Sequence, residues 1–214
     1  MTEYILIQIQ HPQYAAAEIL AEWLGRLEIR SDPLYDLLRW SVPDSTALSQ
    51  APDMTLAFLP SGQVNVTITD RVSRNVSFLS AQTDDERMQQ LLDLLVNCWT
   101  VQGIIGLDLN DVIAVLEASD HGVIANVDNV KKLPDYLARE PNEIMPLSCD
   151  SKITSLQCIY REYQPAMDDF SRYADAVESL ADEEGVVVIG IMPTATLEER
   201  QNAVLYFGLS RKPD

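Results

Sequence analysis

Thr100-Val101-Gln102-Gly103-Ile104-Ile105-Gly106-Leu107-Asp108-Leu109-Asn110-Asp111-Val112 is the stretch from which the rest of the chain takes its place. It sets two carboxylates three residues apart where a new helical pattern begins. Residue type allows several roles for them. As caps, Asp108 would take up backbone N–H groups that a first helical turn leaves open. Asp111 would lie on that turn, where the positive end of the helix dipole favours a negative charge. As contact residues, they would point outward from a loop that Leu107 and Leu109 anchor and that Gly103 and Gly106 leave conformationally free. As metal ligands, Asp108 and Asp111 with Glu117 would suit Mg²⁺ or Ca²⁺.

Upstream, Thr83 followed by Asp84, Asp85 and Glu86 predicts an N-cap, a capping-box glutamate and negative charge at a helix start. The helix is expected over 83–99, with Leu91, Leu92, Leu95 and Trp99 on one face. Leu94 and Cys98 widen that face until the helix reads as buried between layers. Cys98 is expected to be an inert buried thiol. Downstream, helices are expected over 108–119, 129–139 and 167–184, the last followed by Gly185. Strands are expected over 121–127, 153–160, 186–192 and 203–208. This alternation predicts a mixed α/β fold, a sheet covered by helices on at least one face.

The N-terminal part reads differently. Ile5, Ile7 and Ile9 alternate along a strand from Tyr4 to Gln10, which His11-Pro12 ends. Tyr14–Leu27 carries Ala17, Leu20, Leu24 and Leu27 at helical spacing, with Trp23 at the edge of the stripe. A short helix is expected over Leu34–Trp40, closed by Val42-Pro43. Strands are expected over 54–59, 64–69 and 76–79, the first two joined through Pro60-Ser61-Gly62. Residues 1–80 are therefore expected to form a small α+β unit, and 81–214 a second unit that includes the helix 83–99.

The chain of 214 residues is 47% hydrophobic and 22% charged, enough to build a core. Its 33 acidic and 15 basic residues give a net charge of -18, which makes nucleic acid and anionic membranes poor partners. The cysteines, Cys98, Cys149 and Cys158, lack CxxC spacing and are odd in number, so neither a disulfide framework nor a zinc site is expected. No basic leader segment and no membrane-length apolar run is present, so a cytoplasmic protein is expected. His11 and His121 lie far apart. Neither a G-x-x-x-x-G-K-[ST] nor a G-x-G-x-x-G motif occurs, so no phosphate cradle and no cofactor is expected.

The stretch 100–112 resembles the synergy loop of the FtsZ/tubulin family, T-x-x-G-[LI]-[IV]-N-x-D-[FL]-x-D-V. Thr100, Gly103, Ile104, Ile105, Asp108, Leu109, Asp111 and Val112 fall on this pattern, and Gly106 stands where the family has asparagine. The resemblance continues through His121-Gly122-Val123-Ile124-Ala125. It includes the acidic step Ala181-Asp182-Glu183-Glu184 before Val186–Met192, and then Ala203–Leu209. It covers residues 84–210 and implies a fold like the family's C-terminal domain, with 83–99 as its central helix. In the family this loop reaches the nucleotide of the neighbouring subunit in a filament. The resemblance thus implies a cytoplasmic, cell-division-type protein that contacts itself or a filament-forming relative through Gly106, Leu107, Asp108 and Asp111. The family's G-G-G-T-G-[ST]-G loop is absent from residues 1–80, where His11-Pro12-Gln13-Tyr14 follows the first strand. That segment is expected to be a degenerate remnant that neither binds nor hydrolyses GTP. The alternative from residue chemistry alone is a small metal- or ligand-binding enzyme that uses Asp108 and Asp111.

Overall fold

The computed structural model describes residues 5–10, 38–41, 52–79, 81, 83–98, 103–139, 151–194, 196–197, 199 and 201–211. The expected helix Tyr14–Leu27, Trp99 to Gln102 and Cys149 lie outside them. The chain divides into two units, Met1–Ser77 and Phe78–Asp214.

The first unit contains β1 (Ile5–Gln10), β2 (Leu38–Ser41), β3 (Met54–Phe58), β4 (Val64–Ile68) and β5 (Val72–Phe78). Their order is β2-β1-β3-β4-β5. β1 runs parallel to both β2 and β3, whereas β3, β4 and β5 form an antiparallel meander. Strict alternation buries Met54, Leu56 and Phe58 on β3 and Val64, Val66 and Ile68 on β4. Gly62 adopts φ 79° in the β3–β4 turn, a conformation that favours glycine. Two expectations are corrected here. Leu38–Ser41 is a strand, not the end of a helix, because pairing with β1 overrides a short run whose periodicity fits either state. β5 begins at Val72 rather than at Val76; its polar start is held across the meander by Thr67 Oγ1 to Ser73 Oγ (3.0 Å) and Asn65 Nδ2 to Asn75 Oδ1 (2.9 Å).

The second unit opens with α1 (Asp84–Leu92), which continues as a π turn over Asp93–Asn97. Thr83 caps it as expected. Its hydroxyl accepts from Glu86 N (3.2 Å), and Glu86 Oε2 accepts from Thr83 N (3.0 Å). From Met88 to Cys98 nearly every side chain is buried, including the polar Gln90, Asp93 and Asn97. Next come α2 (Leu109–Glu117), β6 (His121–Val127) and a 3₁₀ turn (Val130–Lys132) that leads into α3 (Leu133–Leu137). β7 (Ser151–Glu162), α4 (Met167–Glu178), β8 (Val186–Pro193) and β9 (Ala203–Arg211) complete the unit. The strand order is β6-β9-β7-β8, with β7 and β8 parallel and the other pairs antiparallel. The expected α/β arrangement of a mixed sheet with helices is therefore present.

Both faces of this sheet are covered. One face buries Ala125, Leu156, Cys158, Tyr160, Leu205 and Phe207 with residues of α3 and α4, among them Leu133, Leu137, Tyr173 and Val177. The other meets α1 and α2 through polar contacts. Gln157 Nε2 donates to Leu94 O (2.7 Å), Ser155 Oγ donates to Val115 O (2.7 Å), and Arg161 Nη2 pairs with Asp93 Oδ1 (2.5 Å). Gly208 allows this close approach. A Cβ there would lie 2.7 Å from Ser119 Cβ and would collide with Ser155 Oγ.

Two helices are shorter than expected. The segment 129–139 splits into the 3₁₀ turn and α3, because Pro134 supplies no N–H for a continuous helix. The helix expected over 167–184 ends at Glu178. Asp182 N donates instead to Ile153 O (3.0 Å), which ties the chain to β7 before Gly185 is reached.

Candidate functional site

The loop between α1 and α2 is fixed to the outer edge of β8. Ile104 N donates to Ile191 O (3.0 Å), and Ile191 N donates to Ile105 O (3.1 Å). These two bonds form an isolated antiparallel bridge. The glycines act differently from the expected backbone freedom. Gly103 is required by space, since a Cβ there would fall 2.6 Å from Ile191 O. Gly106 has neither a left-handed backbone nor any atom within 4 Å of a Cβ, so its position is open to a side chain. Leu107 packs over Gly190, whose Cβ would lie 3.3 Å from Leu107 Cγ. Ile104 remains 53% exposed although its backbone is held, so an apolar side chain stands in solvent on a rigid support.

Asp108 and Asp111 form a reciprocal capping box. Asp111 N donates to Asp108 Oδ1 (3.0 Å), and Asp108 N donates to Asp111 Oδ2 (2.9 Å). The box starts α2 where the sequence placed it, and Val112, Ile113, Val115 and Leu116 then bury one side of that helix. Asp108 is exposed and Asp111 half-buried. Each keeps a second carboxylate oxygen with no hydrogen bond among the described residues. Glu117 cannot join them at one ion. It sits at the far end of α2, about 13 Å from Asp108 at 1.5 Å rise per residue. Among the described residues no group of three His, Cys, Asp or Glu side chains could hold a metal.

One polar group escaped sequence reasoning. β7 runs two residues past the expected strand end, which places Glu162 on the face of Cys158 and Tyr160. Glu162 is 4% exposed, and its Oε2 has no partner; the buried hydroxyls of Tyr160 and Tyr173 also lack one. The two rings meet edge to face, with centroids 5.2 Å apart. Burial pushes the Glu162 carboxyl above its usual range, Asp169 adds to the shift, and Lys131 and Arg172 oppose it. Nothing in the residue pattern of 158–162 marks the glutamate as buried, because only the pairing with β8 reveals how far the strand runs. Cys98 and Cys158 are buried thiols, and burial pushes the Cys158 thiol to about 12. Cys98 is shifted in the same direction by the same cause, which disfavours the thiolate at both positions.

No family model matches the chain, and no curated protein matches it. Solved structures similar to it include a tryptophan-to-tyrosine mutant of FtsZ from M. jannaschii. That match has 20% identity over 60% of this chain and 43% of that one, with a TM-score of 0.46. An empty FtsZ dimer from the same organism matches with 18% identity over 61% of this chain and 42% of that one, at a TM-score of 0.48. TubZ of Bacillus thuringiensis serovar israelensis, as GDP-form protofilaments, matches with 12% identity over 60% and 36% and a TM-score of 0.40. The chain thus spans less than half the length of these proteins. No helix among the described residues is long and apolar enough to cross a membrane.

Proposed function

We propose that the chain is an FtsZ/tubulin-like protein that acts by protein–protein contact through the loop 103–111. Its partner is a second copy or a filament-forming relative, and it does not itself hydrolyse GTP. The observation that carries this reading is the presentation of exposed Ile104, Gly106 and Asp108 on a backbone pinned to β8. A fixed backbone lowers the ordering cost of binding. Exposed apolar area beside a carboxylate with one unused oxygen suits a contact. The motif likeness of 100–112 points the same way, and residues 1–80 are then the remnant of a nucleotide domain. In this reading the protein sits at a filament end in the cytoplasm. With Gly106 in place of asparagine, it blocks rather than completes the neighbour's site.

The test is co-sedimentation with an FtsZ or tubulin polymer assembled with GTP. The wild-type chain is expected to pellet with the polymer or shorten it, and Ile104→Asp is expected to do neither. A wild-type protein that stays in the supernatant and leaves polymer mass and length unchanged refutes the reading. The capping box favours a second reading, in which Asp108 and Asp111 only start α2 and take no part in contact.

A further inference from the structure

At the C-terminal end of β6 the chain forms a cleft of about 470 Å³, within the size range of small-molecule sites. Its wall includes Asn126, Asp128, Lys132, Asp135, Tyr136 and Arg139. Positions 132, 135, 136 and 139 follow helical spacing and so fall on one side of the turn that contains α3. We propose that this cleft binds a small organic anion, through a phosphate or carboxylate group held between Lys132 and Arg139.

The charge pattern carries the argument. The chain has 33 acidic and 15 basic residues, so most cations have acids within reach. Arg87, Lys152, Arg161 and Arg172 each pair with an aspartate. Among the described residues Lys131, Lys132, Arg139 and Arg211 show no such pair, and of these Lys132 and Arg139 line the cleft, together with Asp128 and Asp135. Asp128 accepts from Asn126 Nδ2 at its Oδ1 (2.7 Å). Two cations without an ion pair among the described residues thus line one concave opening, and a bound anion would engage both at once. Tyr136 supplies a half-buried ring for the body of the ligand. Its phenol is pushed up by burial, with Arg139 opposing, so the hydroxyl stays protonated as a donor. Asp135 is exposed and can accept from a hydroxyl or amine on the ligand. The site is separate from the loop 103–111 and does not rest on the function proposed for that loop.

Isothermal titration calorimetry tests the proposal at constant ionic strength with inorganic phosphate, citrate and a nucleoside monophosphate as probes. One-to-one binding of at least one probe is expected, weakened roughly tenfold by Lys132→Gln or Arg139→Gln, the effect of losing one charge-assisted contact. Both side chains are exposed, so the variants should keep the wild-type melting temperature. Tighter binding of phosphate and the monophosphate than of citrate assigns a phosphate ligand, and the reverse order a carboxylate. Absence of binding by all three at millimolar concentration overturns the proposal. So does binding that both substitutions leave unchanged.

Discussion

Replacing Asp108 separates a cap from a contact, because asparagine and alanine differ in only one of the two roles. The carboxylate of Asp108 accepts from Asp111 N at 3.0 Å, and its own N–H donates to Asp111 Oδ2 at 2.9 Å. Alanine removes the first bond and leaves an open N–H at the start of α2. Loss of an N-cap costs about 1 kcal/mol, within a range of roughly 0.5–2. For a unit of this size that corresponds to a fall in Tm of about 3–5 °C. Asparagine keeps a side-chain oxygen at the same place and is an equally good cap, so Asp108→Asn should stay within about 0.5 kcal/mol of wild type. Adding Asp111→Ala to Asp108→Ala removes the second bond and a favourable charge at the helix start. The further loss should be smaller than the first, since the two carboxylates share one motif. Thermal unfolding by circular dichroism reads these differences, and partner titration reads the contact. If the asparagine variant loses as much stability as the alanine variant, the bond is not what matters and the capping argument fails. If the asparagine variant binds a polymer partner as tightly as wild type, the carboxylate charge has no part in contact.

Three further outcomes are expected. Glu162→Gln should be more stable than wild type at pH 8, and the gap should close as pH falls towards 4. The folded carboxyl is held above its unfolded value by burial, so its stability contribution is complete below that value and lost as pH rises through the folded one; urea midpoints across this range that run parallel for both proteins would contradict it. Gly208→Ala should cost about 1–3 kcal/mol by displacing the Ser119 and Ser155 hydroxyls, while Gly106→Asn should shift the urea midpoint by less than about 0.5 kcal/mol equivalent. Arg161→Leu should cost about 3 kcal/mol by leaving Asp93 buried without its cation, and Arg161→Leu with Asp93→Leu should recover most of that loss; a double variant no better than the single one would show that the pair is not the source.

Local patterns were legible where the physics is local. The capping box at Thr83 and the helix start at Asp108 depend on residues three positions apart, and the structure forms both. Long apolar strands such as Val186–Pro193 also announced themselves. The misreadings share a cause. Leu38–Ser41 became a strand because β1 lies beside it, and α4 stopped at Glu178 because Ile153 draws Asp182 to the sheet. Glu162 was invisible as a buried acid because strand length is set by a partner far along the chain. For the candidate site, the sequence located Asp108 and Asp111 but not their mutual hydrogen bonds. It assigned Gly103 flexibility, where the structure shows a close approach to Ile191.

The π turn at Asp93–Asn97 has a consequence for anyone who aligns or grafts this helix. A π turn holds an extra residue relative to an α-helical turn, and each residue in an α-helix advances about 100° around the axis. The stretches before and after the turn are therefore written in two reading frames. A gapless match of α1 to a regular helix will pair correct faces on one side of Asp93 and wrong ones on the other. Deleting one residue within the turn would leave the composition almost untouched. It would nevertheless swing Cys98, whose Sγ accepts from Gln157 Nε2 (3.7 Å), out of phase with Leu94, whose carbonyl accepts from the same nitrogen (2.7 Å). Here one surplus residue, rather than any single side chain, keeps both contacts in step.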